Sequence, residues 1–112
     1  MTDNKIASPI DLSEDILEEA LRICHADREN DYGPAEEDHR RVAAMWRAAF
    51  GWDVAPWHIG MAMILVKLSR GIHKPTKRDT WVDIPGYSRC AWKCIEAEGL
   101  PIDKDDLPDK WN

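Results

Sequence analysis

At 112 residues, with 44% hydrophobic and 32% charged side chains, the chain reads as one soluble, globular domain with room for a single modest core. A net charge of −6 argues against general binding to duplex nucleic acid, whose affinity rests on neutralised phosphates. The first residues lack the apolar run of a signal peptide, and the longest apolar run, Met61 to Val66, is far short of the ~20 residues of a membrane span. Together these expectations place the protein in the cytoplasm and off the membrane.

Residues 1–11 read as a loose leader ending just after Pro9. Asp11-Leu12-Ser13-Glu14 has the spacing of a capping box, and Ile16, Ala20 and Ile23 recur with helical period. This predicts a first helix from about Leu12 to Arg28, stopped by Asn30-Asp31-Tyr32-Gly33-Pro34. A second helix from Ala35 to Gly51 would bury Val42, Ala43, Trp46, Ala49 and Phe50. A third, from about Pro56 to Arg70-Gly71, carries Ile59, Ala62, Met63 and Val66 and is nearly apolar all round until Lys67, as a central bundle helix should be. After a connector containing Pro75, the last helix holds Tyr87, Ala91, Cys94 and Ile95 and stops at Gly99, with Pro85 expected in its first turn.

There is no repeat and no β-alternation. The pattern predicts an all-α, four-helix bundle-like domain over 12–99, followed by an acidic C-terminal tail over 100–112. Six tryptophans are more aromatic surface than so small a core can bury, which predicts a homo-oligomer. The three cysteines are odd in number and form no C-x-x-C pair; Cys90 and Cys94 share a helical face, and buried cytoplasmic thiols are the simplest reading.

The chemistry concentrates between Lys67 and Tyr87. Lys67, Arg70, Lys74, Lys77 and Arg78 form a positive run in an acidic chain, followed at once by Asp79 and Asp83. Such cations meet phosphate oxygens, while the carboxylates could hold Mg²⁺ or a ribose hydroxyl. Two alternatives stay open on sequence alone. Lys67 and Arg70 could simply snorkel from the end of an apolar helix. Asp79 and Asp83 share a helical face if the last helix begins before Asp79, whereas Asp83 is an N-cap if Pro85 marks the start. Arg28 and Tyr32, at the first inter-helix turn, could add a phosphate contact and a stacking ring.

Ala26-Asp27-Arg28 with Asp31-Tyr32-Gly33, then His39 and Trp46, Met63 with Lys67 and Arg70, and Asp79 with Asp83-Ile84-x-Gly86-Tyr87 resemble a family of short phage and prophage proteins of uncharacterised function, over roughly residues 14–98. That family is distantly similar to the MazG-type nucleotide pyrophosphohydrolases. These are all-α, usually oligomeric and Mg²⁺-dependent, with an E-x-x-E pair on one helix and an E-x-x-D pair on a later one. This chain departs from both pairs, offering Asp15-x-x-Glu18 and Asp79-x-x-x-Asp83.

The resulting expectation is a cytoplasmic, phage-type protein that binds a nucleotide or nucleotide-derived phosphate. In its enzymatic form it is a divergent nucleoside triphosphate pyrophosphohydrolase. Asp79 and Asp83 would be catalytic, Glu18 would join them on Mg²⁺, and Arg28, Tyr32, Lys67, Arg70 and Tyr87 would hold the ligand. The alternatives are a non-catalytic nucleotide sponge acting against host defence and a structural or host-interaction protein.

Overall fold

The protein is described here by a computed structural model covering residues 13–28, 31 and 33–103. The leader over 1–11 and the end of the acidic tail, 104–112, lie outside the described residues, as does Tyr32. The described residues form four helices and no strand: α1 (Ile16–Arg22), α2 (Ala35–Phe50), α3 (Pro56–His73) and α4 (Arg78–Glu98). A π-helical turn, Ile23–Arg28, prolongs α1.

The first helix starts later than the sequence pattern suggests. Its N-cap is Asp15, whose carboxylate accepts from the Leu17 amide at 2.8 Å, while the Glu18 carboxylate accepts from the Asp15 amide at 3.2 Å. This reciprocal pair satisfies two amides that would otherwise be orphaned, and so fixes the start. Glu14, expected to close a box with Asp11, instead pairs with Arg22 at 3.2 Å.

The second helix ends where Gly51 takes the left-handed conformation, φ 71°, that terminates helices. Arg47 then donates to the Val54 carbonyl at 2.7 Å and ties the following link to α2. His58 Nδ1 accepts from the Ala55 amide at 2.8 Å and caps α3 in place of the missing side-chain oxygen.

The third helix runs two residues past its expected end at Arg70-Gly71, to His73, and α4 begins seven residues before Pro85. Pro85 therefore lies inside α4 rather than in its first turn. An interior proline deletes one backbone hydrogen bond, here the one to the Trp81 carbonyl. Packing on both sides of it, with Val82, Cys90, Ala91 and Cys94 all buried, keeps the helix continuous.

The largest interface is between α3 and α4, and it is built on small residues. A Cβ added to Gly60 would sit 2.7 Å from the Tyr87 carbonyl oxygen and 2.9 Å from the Ala91 Cβ. One added to Gly71 would meet the Thr80 methyl at 3.2 Å. The core is correspondingly thin: its largest fully buried side chains are Ile59, Val82 and Cys94. Phe50, Ala49 and Val66, expected inside, are exposed. Phe50 instead stacks on Trp52 with ring centroids 4.5 Å apart, and Trp46 meets Trp52 edge-on at 5.7 Å.

No described helix is long and apolar enough to cross a membrane.

Candidate functional site at the α3–α4 corner

Starting α4 at Arg78 places Asp79 and Asp83 one turn apart on the same face, so Asp83 is not an N-cap. That face meets Lys67. Lys67 is only 7% exposed, and its Nζ lies 2.7 Å from Asp83 Oδ2 and 3.9 Å from Asp79 Oδ2. A buried ammonium must be paired, and the two carboxylates supply the pairing unequally. The Asp83 side chain is 17% exposed and makes the close contact, whereas that of Asp79 is 54% exposed and remains largely in water.

The five cations of the basic run therefore have three different roles. Lys67 is neutralised inside the helix pair. Arg78 turns away, its Nε donating to Glu19 at 2.9 Å and its Nη2 to the Glu14 carbonyl, and so braces α1 against α4. Arg70, Lys74 and Lys77 face a basin of about 490 Å³, with His73, Ser69 and Asp79 also on its wall. Among the described residues none of these three cations forms an ion pair. The turn that carries Lys74 and Lys77 is held in place by Trp81, whose Nε1 donates to the Pro75 carbonyl at 2.8 Å.

Two helix ends meet at this corner. The carboxyl end of α3 carries partial negative charge and the amino end of α4 partial positive charge, so the backbone fields offset one another. The net attraction for an anion then comes from the side chains.

The remaining residues singled out from the sequence lie elsewhere. Glu18 is exposed and engaged in the α1 capping box, and forms no metal-holding cluster with Asp79 and Asp83. Tyr87, one turn beyond Asp83, does share a wall with it: both line a cavity of about 20 Å³ between α1 and α4, distinct from the basin, with Cys24, Gly86 and Cys90. The Arg28 side chain, like Tyr32, lies outside the described residues. Among the described residues no three of His, Cys, Asp and Glu come close enough together to hold a metal ion. Asp79 and Asp83 are the residues that would hold a divalent ion, and both already face the Lys67 ammonium.

His73 carries no signal of its own in the sequence, and Lys74 and Lys77 stand out there only as members of the positive run. Lys74 and Lys77 were visible as charges, but their common direction depends on the tight turn over 74–77.

Comparison with known proteins adds a family. Residues 15–95 match the domain of unknown function DUF6378. The chain is 32% identical over 100 residues to the Gene 55 protein of Mycobacterium phage D29, covering 88% of this chain and 66% of that protein. It is 39% identical over 90 residues to the Gene 55 protein of Mycobacterium phage L5, covering 80% of this chain and 55% of that protein. The chain thus spans between about half and two thirds of the length of these phage relatives. No solved structure matches it.

Proposed function

The chain belongs to the DUF6378 family, with relatives encoded by phages, and on that premise we propose that it binds a phosphorylated small molecule of the nucleotide class at the α3–α4 corner, without needing to hydrolyse it. One observation carries this reading: Arg70, Lys74 and Lys77 face a single basin with their charges unspent. Its volume of about 490 Å³ falls within the range of roughly 300–1,000 Å³ that small-molecule sites occupy. Arg70 can present a two-pronged donor to phosphate oxygens, and the two lysines add mobile point charges. Asp79, on the same rim, repels phosphate but accepts from hydroxyls, which favours a ligand carrying both, such as a ribose phosphate.

The MazG-type pyrophosphohydrolase is the second reading, favoured by the placement of Asp79 and Asp83 on one helical face. The arrangement does not suit Mg²⁺ as it stands. A metal ion there would have to displace a buried ammonium 2.7 Å from its carboxylate, and Glu18 is committed to a helix cap. The side chains instead support capture of a ligand, as in the sponge alternative.

Calorimetry with nucleoside mono-, di- and triphosphates, cyclic nucleotides and a bare nucleoside tests the proposal. A phosphorylated compound should bind and the nucleoside should not. Arg70→Ala and Lys74→Ala should each weaken binding roughly 10- to 100-fold, the scale of one hydrogen bond to a charged group. Equal binding by wild type and both variants, or no binding by wild type to any of the panel, refutes the reading. Mass spectrometry of the recovered ligand with Mg²⁺ present separates capture from cleavage.

A further inference from the structure

Outside the basin, α3 presents an apolar face that no other described helix covers. Met61, Leu65, Leu68 and Ile72 follow one another at intervals of four, three and four residues, the spacing of a coiled-coil seam. All four are exposed, Leu65 to 66% and Ile72 to 85%. The opposite side of the helix is already used, with Gly60, Lys67 and Gly71 buried against α4. The positions flanking the seam, Ala62, Ile64 and Ser69, carry no charge, and two of them are small. The face therefore offers nothing to an ionic partner such as a nucleic acid and allows the close approach of another helix.

We propose that this face is a homodimer interface in which two copies of α3 pack antiparallel across a two-fold axis. Two arguments select a second copy. The first is area. The four exposed seam residues present on the order of 500 Å² of surface, near the top of the roughly 300–600 Å² seen for the largest patch of a typical monomer. Two copies face to face would remove on the order of 1,000 Å², the threshold of a specific interface.

The second argument is symmetry and charge. A two-fold axis between Leu65 and Leu68 sets Leu65 against the partner's Leu68 and Met61 against the partner's Ile72, so the seam complements itself. A parallel pair would bring the two basic ends, each with Arg70, Lys74 and Lys77, side by side. The antiparallel pair places them at opposite ends of the seam. Ser69 flanks the seam and also stands on the basin wall, so the two sites are neighbours.

Sedimentation velocity on the full chain at about 100 μM, above the micromolar affinities of weak standard interfaces, tests the dimer. The expected mass is twice the monomer's 12.9 kDa. Leu65→Glu combined with Leu68→Glu should return a single 12.9 kDa species with an unchanged helical circular-dichroism spectrum, because both side chains are exposed within one protomer. Orientation is read by oxidising mixtures of Met61→Cys and Ile72→Cys proteins: antiparallel pairing cross-links one variant to the other, whereas parallel pairing cross-links each to itself. A wild type that sediments as a monomer overturns the proposal. A mass unaffected by the two glutamates overturns it equally, and self-cross-linking overturns the antiparallel arrangement.

Discussion

Replacing Lys67 by methionine keeps the stem that fills space between α3 and α4 and removes only the charge. The ammonium is held 2.7 Å from an Asp83 side chain that is only 17% exposed, so its loss strands a mostly buried carboxylate. Removing one partner of a fully buried ion pair costs about 3–5 kcal/mol. Water still reaches part of Asp83, and Asp79 is more than half exposed, so the expected cost falls below that range, at about 2–3 kcal/mol. At 1.4 kcal/mol per decade this lowers the folding equilibrium constant by roughly 30- to 150-fold, a large share of the 5–15 kcal/mol that domains possess. Urea denaturation followed by tryptophan fluorescence measures it directly. Adding Asp83→Leu to Lys67→Met should restore most of the loss, because a hydrophobic pair can replace a buried ionic one. If Lys67→Met unfolds within 0.5 kcal/mol of wild type, about the spread of neutral surface changes, Lys67 reaches water and the buried pair has been misread. The same variant frees both carboxylates, so Mg²⁺ binding that appears only in Lys67→Met would show that the ammonium had been occupying a cation site.

Two further predictions concern packing and titration. Gly60→Ala should destabilise by about 1–2 kcal/mol despite alanine's better helix propensity, because the new methyl meets a backbone oxygen at 2.7 Å, and overpacking of this kind costs about 1–3 kcal/mol; greater stability in the same urea assay would mean that α3 and α4 are further apart. Burial, assisted by the nearby negative charges of Glu98 and Glu36, pushes the Cys94 thiol up from 9.0 to about 11. The folded state therefore holds that proton after the unfolded chain has released it, and stability should fall as pH rises from about 9 and level off near 11. Cys94→Ala should flatten that slope, and native Cys94 should resist alkylation at pH 8; rapid labelling there, with the fold intact, would contradict the burial.

The helices themselves were legible in the residues. Apolar positions recurring every three to four residues marked all four, and Gly33, Gly51 and Gly99, each at positive φ, stand at the breaks where the sequence suggested stops. These are local matters of backbone geometry and short-range periodicity, so a single strand of text contains them. The start of the last helix was not legible. Pro85 is an ordinary first-turn residue by local rules, and only the burial of Val82 and Thr80 on one side and of Cys90, Ala91 and Cys94 on the other makes an interior proline tolerable.

That one tertiary decision also determined the site. With α4 beginning at Arg78, Asp79 and Asp83 turn toward α3 and take up Lys67, while Arg78 goes to α1 and Arg70, Lys74 and Lys77 keep the basin. The sequence determined that five cations and two acids lie within one short stretch. Which cation is neutralised, which braces a helix and which stay available depends on distances across the α3–α4 interface, because the strength of a charge's interactions is set by its nearest partner and its access to water, and neither is a property of its position in the chain.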